Sequence, residues 1–564
     1  MESVDRAWWK RVWKSQWLPA ALLIAVTVTV YLPALRAGFI WDDDDYVTKN
    51  QTLRDLAGLR AIWFKVGAVP QYYPLVHTTF WLEYHVWGLN PFGYHLLNVV
   101  LHALAAVLLW RALNWLQIPG AWLGAAVFAL HPVEVESVAW ITERKNVLSA
   151  VFYFAAALTY LRFTQLKDVG ASEKRPWYFY SGALLLFMAA LLSKTVTASL
   201  PAALLLIRWW KKGRLSWNDF VPLLPFFILS GAFGRVTAWM EKYQVGAEGS
   251  EWSLAFSQRF LLAGRALWFY IGKLAWPSHL TFIYPHWDLN PKEWWQSLFL
   301  LAAIIVVAGL WLGRRWIGRA PVVAVLFFGG TLFPALGFVD VYPFRYSYVA
   351  DHFQYLASVG LIALAAAALS QLPRAFWIGL LGLLGFLTWH QTQIYRDVQT
   401  LWQDTLAKNP QCWMAHNNLG NALLKIGKVD EAIAEYQRGI KIQPNLARSH
   451  DNLGLAFLQK GELNEAISSF QRACEINPND AEARADLGNA FLLAGQVDEA
   501  IGQYEKALEI NPAYAEAHYN LGVALRQKGE INQAVAHYQR ALEIKPGFEE
   551  PKKKLRELGV QVSR

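Results

Sequence analysis

The residues best suited to chemistry form an acidic run, Asp42-Asp43-Asp44-Asp45, directly after the first long apolar segment of the chain. Four adjacent carboxylates repel one another and raise one another's proton affinity, which favours a general base that works near neutral pH. Charged groups at the end of a membrane helix are typical of functional sites. The run therefore indicates a catalytic base or a cation site, and the alternative is a solvated acidic loop.

The element that positions this run is a membrane domain, residues 1–392. Apolar segments of bilayer-spanning length recur through it, with Trp, Tyr and Phe at their ends, as in integral membrane proteins. We predict eleven spans, near 17–34, 95–113, 120–134, 146–162, 177–193, 195–210, 219–237, 297–313, 320–337, 354–371 and 375–391. The apolar segment 258–276 would change the parity if it crossed, so we interpret it as an interfacial or re-entrant helix.

Basic clusters in short loops face the cytoplasm, and they set the orientation. They occur at 6–14, 162–175, 208–214, 314–319 and Arg374. The N-terminus is therefore expected in the cytoplasm, with a retained signal-anchor helix, and the C-terminal arm outside it. The net charge of +9 follows from these topology signals and does not indicate nucleic-acid binding.

With this orientation, most polar clusters fall on the outer side and predict one extracytoplasmic site. An amphipathic stretch from Leu53 to Lys65 is expected to lie in the membrane interface there. The other outer residues that we single out are Asp42, Asp43, Asp44, Asp45, His131, Glu134, Glu136, Glu143, Arg144, Lys145, Lys194, Arg345, Asp351 and His352.

The C-terminal arm has an internal period of 34 residues. Prolines recur at 410, 444, 478, 512 and 546, and Leu-Gly pairs recur in phase. This pattern predicts four tetratricopeptide repeats over 411–548, preceded by a connector helix in 393–410 and followed by a capping helix and tail in 549–564. One repeat position that faces the concave groove carries Asn418, Asn452, Asp486 and Asn520. These residues predict a groove that holds a peptide backbone, and the alternative is that asparagine is simply common there.

The two cysteines, Cys412 and Cys474, lie far apart and match no metal-ligand spacing, so we expect neither a disulfide framework nor a zinc site. His131, Glu134 and Glu136 could in principle hold a divalent cation. We favour another interpretation, in which His131-Pro132 ends a helix and the glutamates pair with Arg144 or Lys145.

Several motifs of the membrane domain resemble one known group. They are Trp41-Asp42-Asp43-Asp44-Asp45-Tyr46-Val47, Tyr73-Pro74-Leu75, Gly88-Leu89-Asn90-Pro91-Phe92-Gly93-Tyr94-His95-Leu96-Leu97-Asn98, Leu101-His102-Ala103-Leu104, Phe128-Ala129-Leu130-His131-Pro132, Glu136-Ser137-Val138-Ala139-Trp140 and Glu143-Arg144-Lys145. Together with the repeats, they resemble the transmembrane O-mannosyltransferases with tetratricopeptide repeats and their bacterial relatives. The resemblance implies an all-α protein with the C-type glycosyltransferase fold.

The resemblance also implies a polyprenyl-phosphate-linked sugar donor and a catalytic acid in the first outer loop. Asp42 would then take the proton of the acceptor hydroxyl, and Asp43 would orient the acceptor or hold a cation. Basic residues would stabilise the departing phosphate, and the candidates are Arg144, Lys145, Lys194 and Arg345. Bacterial relatives often carry an arginine where this chain has His352, so that role is open or has moved to Arg345. A monophosphate leaving group implies no obligatory metal, and a single displacement implies inversion at the sugar carbon.

We therefore expect an enzyme that glycosylates Ser or Thr of exported proteins, with the repeats capturing the polypeptide. Its expected place is a bacterial inner membrane, with the repeat arm in the periplasm. One alternative is sugar transfer to an envelope glycan or lipid, with the repeats recruiting a partner. A second alternative is a non-catalytic membrane scaffold.

Overall fold

The structure is a computed structural model that describes residues 16–164, 177–246 and 254–561. Within these ranges the chain forms α-helices, short 3-10 turns and one π turn, and no strand. The prediction of an all-α protein is confirmed. The basic residues Arg6, Lys10, Arg11 and Lys14, and most of the basic cluster 162–175, lie outside the described residues.

The chain divides into two compact units, Met1–Asp404 and Thr405–Arg564. The division falls inside a helix, Val398–Lys408, that belongs to the predicted connector 393–410. The helices before it are α1 Trp17–Val30, α2 Leu56–Phe64, α3 Pro74–Trp87, α4 Pro91–Trp115, α5 Ala121–Leu130, α6 Val135–Ala139, α7 Arg144–Phe163, α8 Trp177–Leu191, α9 Leu200–Lys212, α10 Trp217–Phe220, α11 Leu224–Tyr243, α12 Phe256–Ala275, α13 Ser297–Gly313, α14 Ala320–Leu332, α15 Ser358–Leu369 and α16 Arg374–Thr392.

Each predicted span coincides with one of these helices to within about six residues at either end. Helix α3, between the first two predicted spans, was not predicted. Among the described residues, four helical stretches are long and apolar enough to cross a membrane: Pro91–Trp115, Ile141–Phe163, Trp217–Tyr243 and Trp294–Gly313. Shorter apolar helices include α1, α5, α8 and α15. These helices indicate a membrane protein, and the number of eleven spans stays a prediction.

Helix α13 shows how the apolar surface is used. Its side chains Leu301, Ile304 and Leu312 are at least half exposed, and a contiguous apolar face of this length is typical of contact with lipid. Helix α13 also packs against α12. Gly264 of α12 lies so close to it that an added Cβ would stand 2.6 Å from the backbone nitrogen of Leu300. Helix α12 covers the segment 258–275 and packs on α13. Its interfacial or re-entrant position stays a prediction.

The second unit consists of paired antiparallel helices. After α17 Val398–Lys408 they are α18 Trp413–Lys425, α19 Val429–Ile442, α20 Ala447–Lys460, α21 Leu463–Ile476, α22 Ala481–Leu493, α23 Val497–Ile510, α24 Ala515–Lys528, α25 Ile531–Ile544 and α26 Glu549–Glu557. In each pair a fully buried aromatic ring covers the glycine of the Leu-Gly motif. Phe470 covers Gly454 in this way, and an added Cβ would stand 2.7 Å from the ring. The small residue therefore sets the close crossing of each pair.

Candidate active site

The acidic run lies in a tight, constrained loop. A 3-10 turn, Leu32–Arg36, follows α1, and a π turn, Asp44–Thr48, contains the last two aspartates. Between the two turns, Trp41 has a φ of 43°, in the left-handed region that bulky residues rarely adopt. Such conformations persist only where the surroundings hold them, and they cluster at functional sites. The indole ring of Trp41 is held by stacking on Trp140, with the centroids 5.4 Å apart.

Asp43 holds this loop to the rest of the unit. Its side chain is completely buried. One carboxylate oxygen accepts a hydrogen bond from the backbone N–H of Ile40 at 2.8 Å, and the other accepts from the backbone N–H and the hydroxyl of Thr142 at 2.9 and 2.7 Å. Burial raises the pKa of Asp43 to about 7, against the opposing effect of these bonds. The prediction that Asp43 orients an acceptor or holds a cation needs correction, because both oxygens are already used to fix the loop.

Asp42 has the properties that a general base requires. It is half-buried, and among the described residues its Oδ1 has no hydrogen-bond partner. Burial raises the pKa of Asp42 well above its usual range, with Asp43 and Glu143 adding to the rise and Lys145 opposing it. A carboxylate with a raised pKa and an unpaired oxygen can take a proton near neutral pH. Asp44 differs, because it pairs with Lys49 and Thr48, and Asp45 is exposed.

Two lysines from separate helix ends meet on one carboxylate beside Asp42. Lys145 Nζ lies 2.9 Å from Glu143 Oε1, and Lys194 Nζ lies 3.4 Å from Glu143 Oε2. Lys194 also donates to the side-chain oxygen of Asn146 at 2.6 Å. Burial lowers the pKa of Lys194 to about 8. We call Glu143, Lys145, Asn146 and Lys194 the lysine cluster; it carries two cations for one carboxylate and is suited to attract an anion.

The predicted residues near position 350 join this cluster. His352 Nδ1 lies 3.0 Å from Glu136 Oε1, and His352 Nε2 lies 3.9 Å from Glu143. The backbone oxygen of His352 accepts from Asn146 at 3.1 Å. The next carboxylate, Asp351, accepts from the hydroxyl of Tyr284 at 2.9 Å and is buried.

Arg144 lies on a different side of α7 from Lys145 and is completely buried. Its guanidinium makes a two-pronged ion pair with Glu83 at 2.6 and 3.1 Å and donates to the backbone oxygen of Tyr94 and the side chain of Asn98. All of these groups belong to the interior, between α3, α4 and α7. The prediction that Arg144 binds the donor phosphate therefore needs correction: its donors are occupied by Glu83 and its neighbours.

Arg345 ends a 3-10 turn, Tyr342–Arg345, and is half-buried. The following residue, Tyr346, packs edge-on against Trp41, with the centroids 6.2 Å apart. The structure therefore places this turn beside the acidic loop. The contribution of Arg345 to phosphate binding stays a prediction.

His131 and the two glutamates do not converge on one point. His131 ends α5, as predicted, and its Nε2 lies 3.0 Å from the backbone oxygen of Leu274. Glu134 accepts from Ser358 at 3.0 Å, and Glu136 accepts from the backbone N–H of His352 at 3.0 Å. The glutamates thus pair with residues 216 and 224 positions away, and not with Arg144 or Lys145 as we expected. Within the described ranges, no group of three His, Cys, Asp or Glu residues is placed to hold a metal.

Several residues of the site were not predicted from the sequence. Thr142 anchors Asp43, and Asn146 joins Lys194 to Glu143. Glu241 of α11 accepts from Gln71, which in turn accepts from the hydroxyl of Tyr46 at 3.0 Å. The polar Asn146 and Glu241 near apolar helices were visible as such in the sequence, since polar groups inside a membrane protein are costly unless they have a role.

The repeat position with Asn418, Asn452, Asp486 and Asn520 is half-buried in every repeat. Asn452 donates to Asn417 at 3.1 Å, and Asn520 donates to Asn489 at 2.9 Å. Burial raises the pKa of Asp486 to about 6. These contacts join polar side chains of neighbouring repeats, and peptide binding by the four residues stays a prediction.

Taken together, the helices and the repeats define a helical membrane protein with a C-terminal tetratricopeptide arm. The TPR repeat family matches residues 420–461, 454–495 and 488–525, and the tetratricopeptide repeat family matches residues 515–548. A solved structure described as the crystal structure of MamA is 29% identical and covers 28% of this chain and 89% of that chain, with a TM-score of 0.25.

Some relatives align with most of the chain, in both its membrane part and its repeats. Protein O-mannosyl-transferase TMTC1 of Homo sapiens is 25% identical over 76% of this chain and 55% of its own length. A Protein O-mannosyl-transferase of Caenorhabditis elegans is 22% identical over 75% and 62%. Protein O-mannosyl-transferase TMTC2 of Mus musculus is 31% identical over 28% and 20%. The homologues of this chain are thus TMTC-type protein O-mannosyl-transferases, and the alignments span less than two thirds of the length of each of these three relatives.

Proposed function

We propose that this protein is an integral membrane glycosyltransferase that moves a sugar from a polyprenyl phosphate to Ser or Thr hydroxyls of exported proteins. The names of its relatives support a protein O-glycosyltransferase, and they favour mannose as the sugar. The observation that carries the proposal is the position of the Asp42 carboxylate, with its unpaired Oδ1, beside the lysine cluster.

Each side chain has a defined part in the proposed reaction. The acceptor hydroxyl oxygen forms a bond to the anomeric carbon while Asp42 takes its proton. The bond between that carbon and the phosphate oxygen breaks, and the phosphate leaves with the bonding electrons. Lys145 and Lys194 stabilise the negative charge that develops on it. One displacement inverts the configuration at the anomeric carbon.

Asp43 acts in this scheme by position, because it ties Ile40 and Thr142 together and so holds the Asp42 carboxylate near Lys145. The aromatic side chains of Trp41 and Trp140 offer a flat apolar surface beside it, of the kind that packs against sugar rings and apolar chains. The two lysines supply the positive charge that a metal would otherwise supply, so the proposed reaction needs no obligatory metal.

The repeats are proposed to capture the acceptor polypeptide. Tetratricopeptide repeats typically bind peptides or proteins, and side-chain amides along a groove hold an extended backbone without regard to its sequence. The proposed setting is a bacterial inner membrane, with eleven spans, a cytoplasmic N-terminus and the repeats in the periplasm.

The test is a mass-spectrometric comparison of exported proteins from cells that carry the wild-type enzyme, Asp42→Asn or Asp45→Asn. Asp42→Asn removes the base while preserving shape, whereas Asp45 is exposed and serves as the matched control. We expect hexose additions on Ser and Thr peptides with the wild type and the control, and their loss with Asp42→Asn at equal membrane levels. Unchanged peptides in the Asp42→Asn strain would refute the proposal. Hexose on an envelope glycan or lipid instead would favour the alternative acceptor.

A further inference from the structure

A cavity of about 510 Å³ opens beside the acidic loop and plays no part in the proposed reaction. Its lining is mostly apolar and includes two arginines. The residues that matter for the argument are Leu32, Leu35, Phe92 and Trp389, with Arg36 and Arg396. We call this cavity the arginine groove.

The position of the arginine groove is at the ends of apolar helices. Leu32 to Arg36 follow α1 directly, Phe92 stands at the start of α4, and Trp389 lies in the last turn of α16, with Arg396 just beyond it. Apolar side chains at helix ends with an exposed tryptophan among them are typical of the level where a bilayer meets water. Leu32, Phe92 and Trp389 are each about two-fifths exposed within the groove, so the groove presents an uncovered apolar surface at that level.

The two arginines are the second feature. Both are exposed, and both line the same cavity. Arg396 also pairs with Asp397 at 2.9 Å and donates to the hydroxyl of Thr400 at 3.3 Å, but its side chain remains two-thirds exposed. A guanidinium has five donors in a planar fork and binds phosphate oxygens in pairs. An apolar surface with guanidinium groups at its mouth is complementary to a chain-bearing phosphate.

We infer that the arginine groove binds an anionic glycerophospholipid, with its phosphate at Arg36 and Arg396 and an acyl chain on Leu32, Leu35, Phe92 and Trp389. The occupant is not the sugar donor. Tyr395, next to Arg396, is buried and packs with Phe282, which belongs to the aromatic cluster around Trp41. The chain at 395–396 therefore separates the groove from the cluster that holds Asp42, and the lysine cluster is the phosphate site of the reaction.

A bound phospholipid would brace the acidic loop. The backbone N–H of Gly38 donates to the backbone oxygen of Arg396 at 2.9 Å, and His95 Nε2 lies 3.3 Å from the backbone oxygen of Gly38. In the sequence, Gly38 lies between Arg36 and Ile40. The backbone N–H of Ile40 donates to the carboxylate of Asp43. One phosphate held by Arg36 and Arg396 would tie together the two chain segments that the Gly38 hydrogen bond already joins.

The test measures lipid binding to the purified full-length protein by native mass spectrometry, without any sugar donor. The probes are dioleoyl phosphatidylglycerol and dioleoyl phosphatidylcholine, and the variants are the double substitution R36Q/R396Q and the control Arg60→Gln. Arg60 is an exposed arginine on α2 outside the groove. Each arginine at a membrane surface contributes about fivefold to affinity for anionic lipid. We expect the double variant to lose one tight phosphatidylglycerol adduct, with affinity lower by roughly 25-fold, while Arg60→Gln retains it.

A second variant, Trp389→Ala, keeps both charges and removes part of the apolar surface. We expect this variant to bind phosphatidylglycerol and phosphatidylcholine more weakly, by a similar factor for each. Equal phosphatidylglycerol binding by the wild type and R36Q/R396Q would overturn the inference. So would displacement of phosphatidylglycerol by undecaprenyl phosphate at lower concentration, because the groove would then belong to the sugar carrier. None of these results depends on whether the protein transfers sugar.

Discussion

The adjacent residues Arg144 and Lys145 should respond in opposite ways to removal of their charge. Arg144→Met leaves the 95% buried Glu83 carboxyl without its ionic partner. Breaking a buried ion pair on one side costs about 3–5 kcal/mol. Lys145→Met removes one of two lysines from Glu143, which keeps Lys194 at 3.4 Å and Asn146 at 2.7 Å. The expected cost in stability there is smaller, about 1.5–3 kcal/mol, because Glu143 keeps these two partners.

Activity should follow the reverse order. Removing one donor that stabilises charge in a transition state lowers the rate by about 10²–10³-fold. We expect Lys145→Met to lose transfer by this factor, with a smaller fall in the unfolding midpoint than in Arg144→Met. Arg144→Met should lower the unfolding midpoint strongly, with residual activity in proportion to the folded fraction.

Both quantities are measured on protein purified in one detergent: thermal or denaturant unfolding, and transfer of labelled sugar from a polyprenyl phosphate to an acceptor peptide. The double variant E83M/R144M should recover most of the lost stability, because neither charge is then left alone. Loss of activity in Arg144→Met with a normal unfolding midpoint would refute this reasoning and return Arg144 to the donor site. A strongly destabilised but active Lys145→Met would refute the role of the lysine cluster.

Three further predictions concern pH and packing. Burial lowers the pKa of Lys194 to about 8, so its positive charge, and with it transfer, should be lost as the pH rises through that value. In Lys194→Arg the alkaline limb of the pH–rate profile should move up by about one pH unit or more, because a guanidinium stays protonated. An unmoved limb would show that Lys194 is not the group that titrates. The Nδ1 atoms of His518 and His537 lie 2.9 Å apart, and burial lowers the pKa of both imidazoles. The unfolded chain therefore binds more protons below about pH 6.5. The hydrogen-exchange protection factors of α24 and α25, which correct for the intrinsic pH dependence of exchange, should fall as the pH drops below that value, and less so in His537→Gln. Gly454→Ala would place a Cβ 2.7 Å from the Phe470 ring and should lower the stability of the repeats by about 1–3 kcal/mol. The added Cβ of Gly502→Ala has no neighbouring atom within 4 Å, so this variant should raise the stability by up to about 1 kcal/mol. Equal hydrogen-exchange protection of both variants would contradict the packing argument.

The helical class, the repeats and the acidic loop could all be predicted from local patterns. A period of 34 residues appears directly in the positions of proline, glycine and the aromatic rings, because each repeat makes the same contacts with its neighbours. Apolar segments likewise mark the membrane helices, since each must bury or expose a long apolar surface. The acidic run was recognisable because four adjacent carboxylates have no role in an apolar helix.

The role of each charged residue was decided only by the tertiary structure. Arg144 and Lys145 are neighbours in sequence, but successive residues of a helix point about 100° apart, so one faces Glu83 in the interior and the other faces Glu143. Asp43 holds Thr142 across 99 positions, and Glu136 holds His352 across 216. The free energy of a buried charge depends on which partners lie within a few ångströms of it. Local sequence contains no record of those partners, because the fold brings them together from distant parts of the chain.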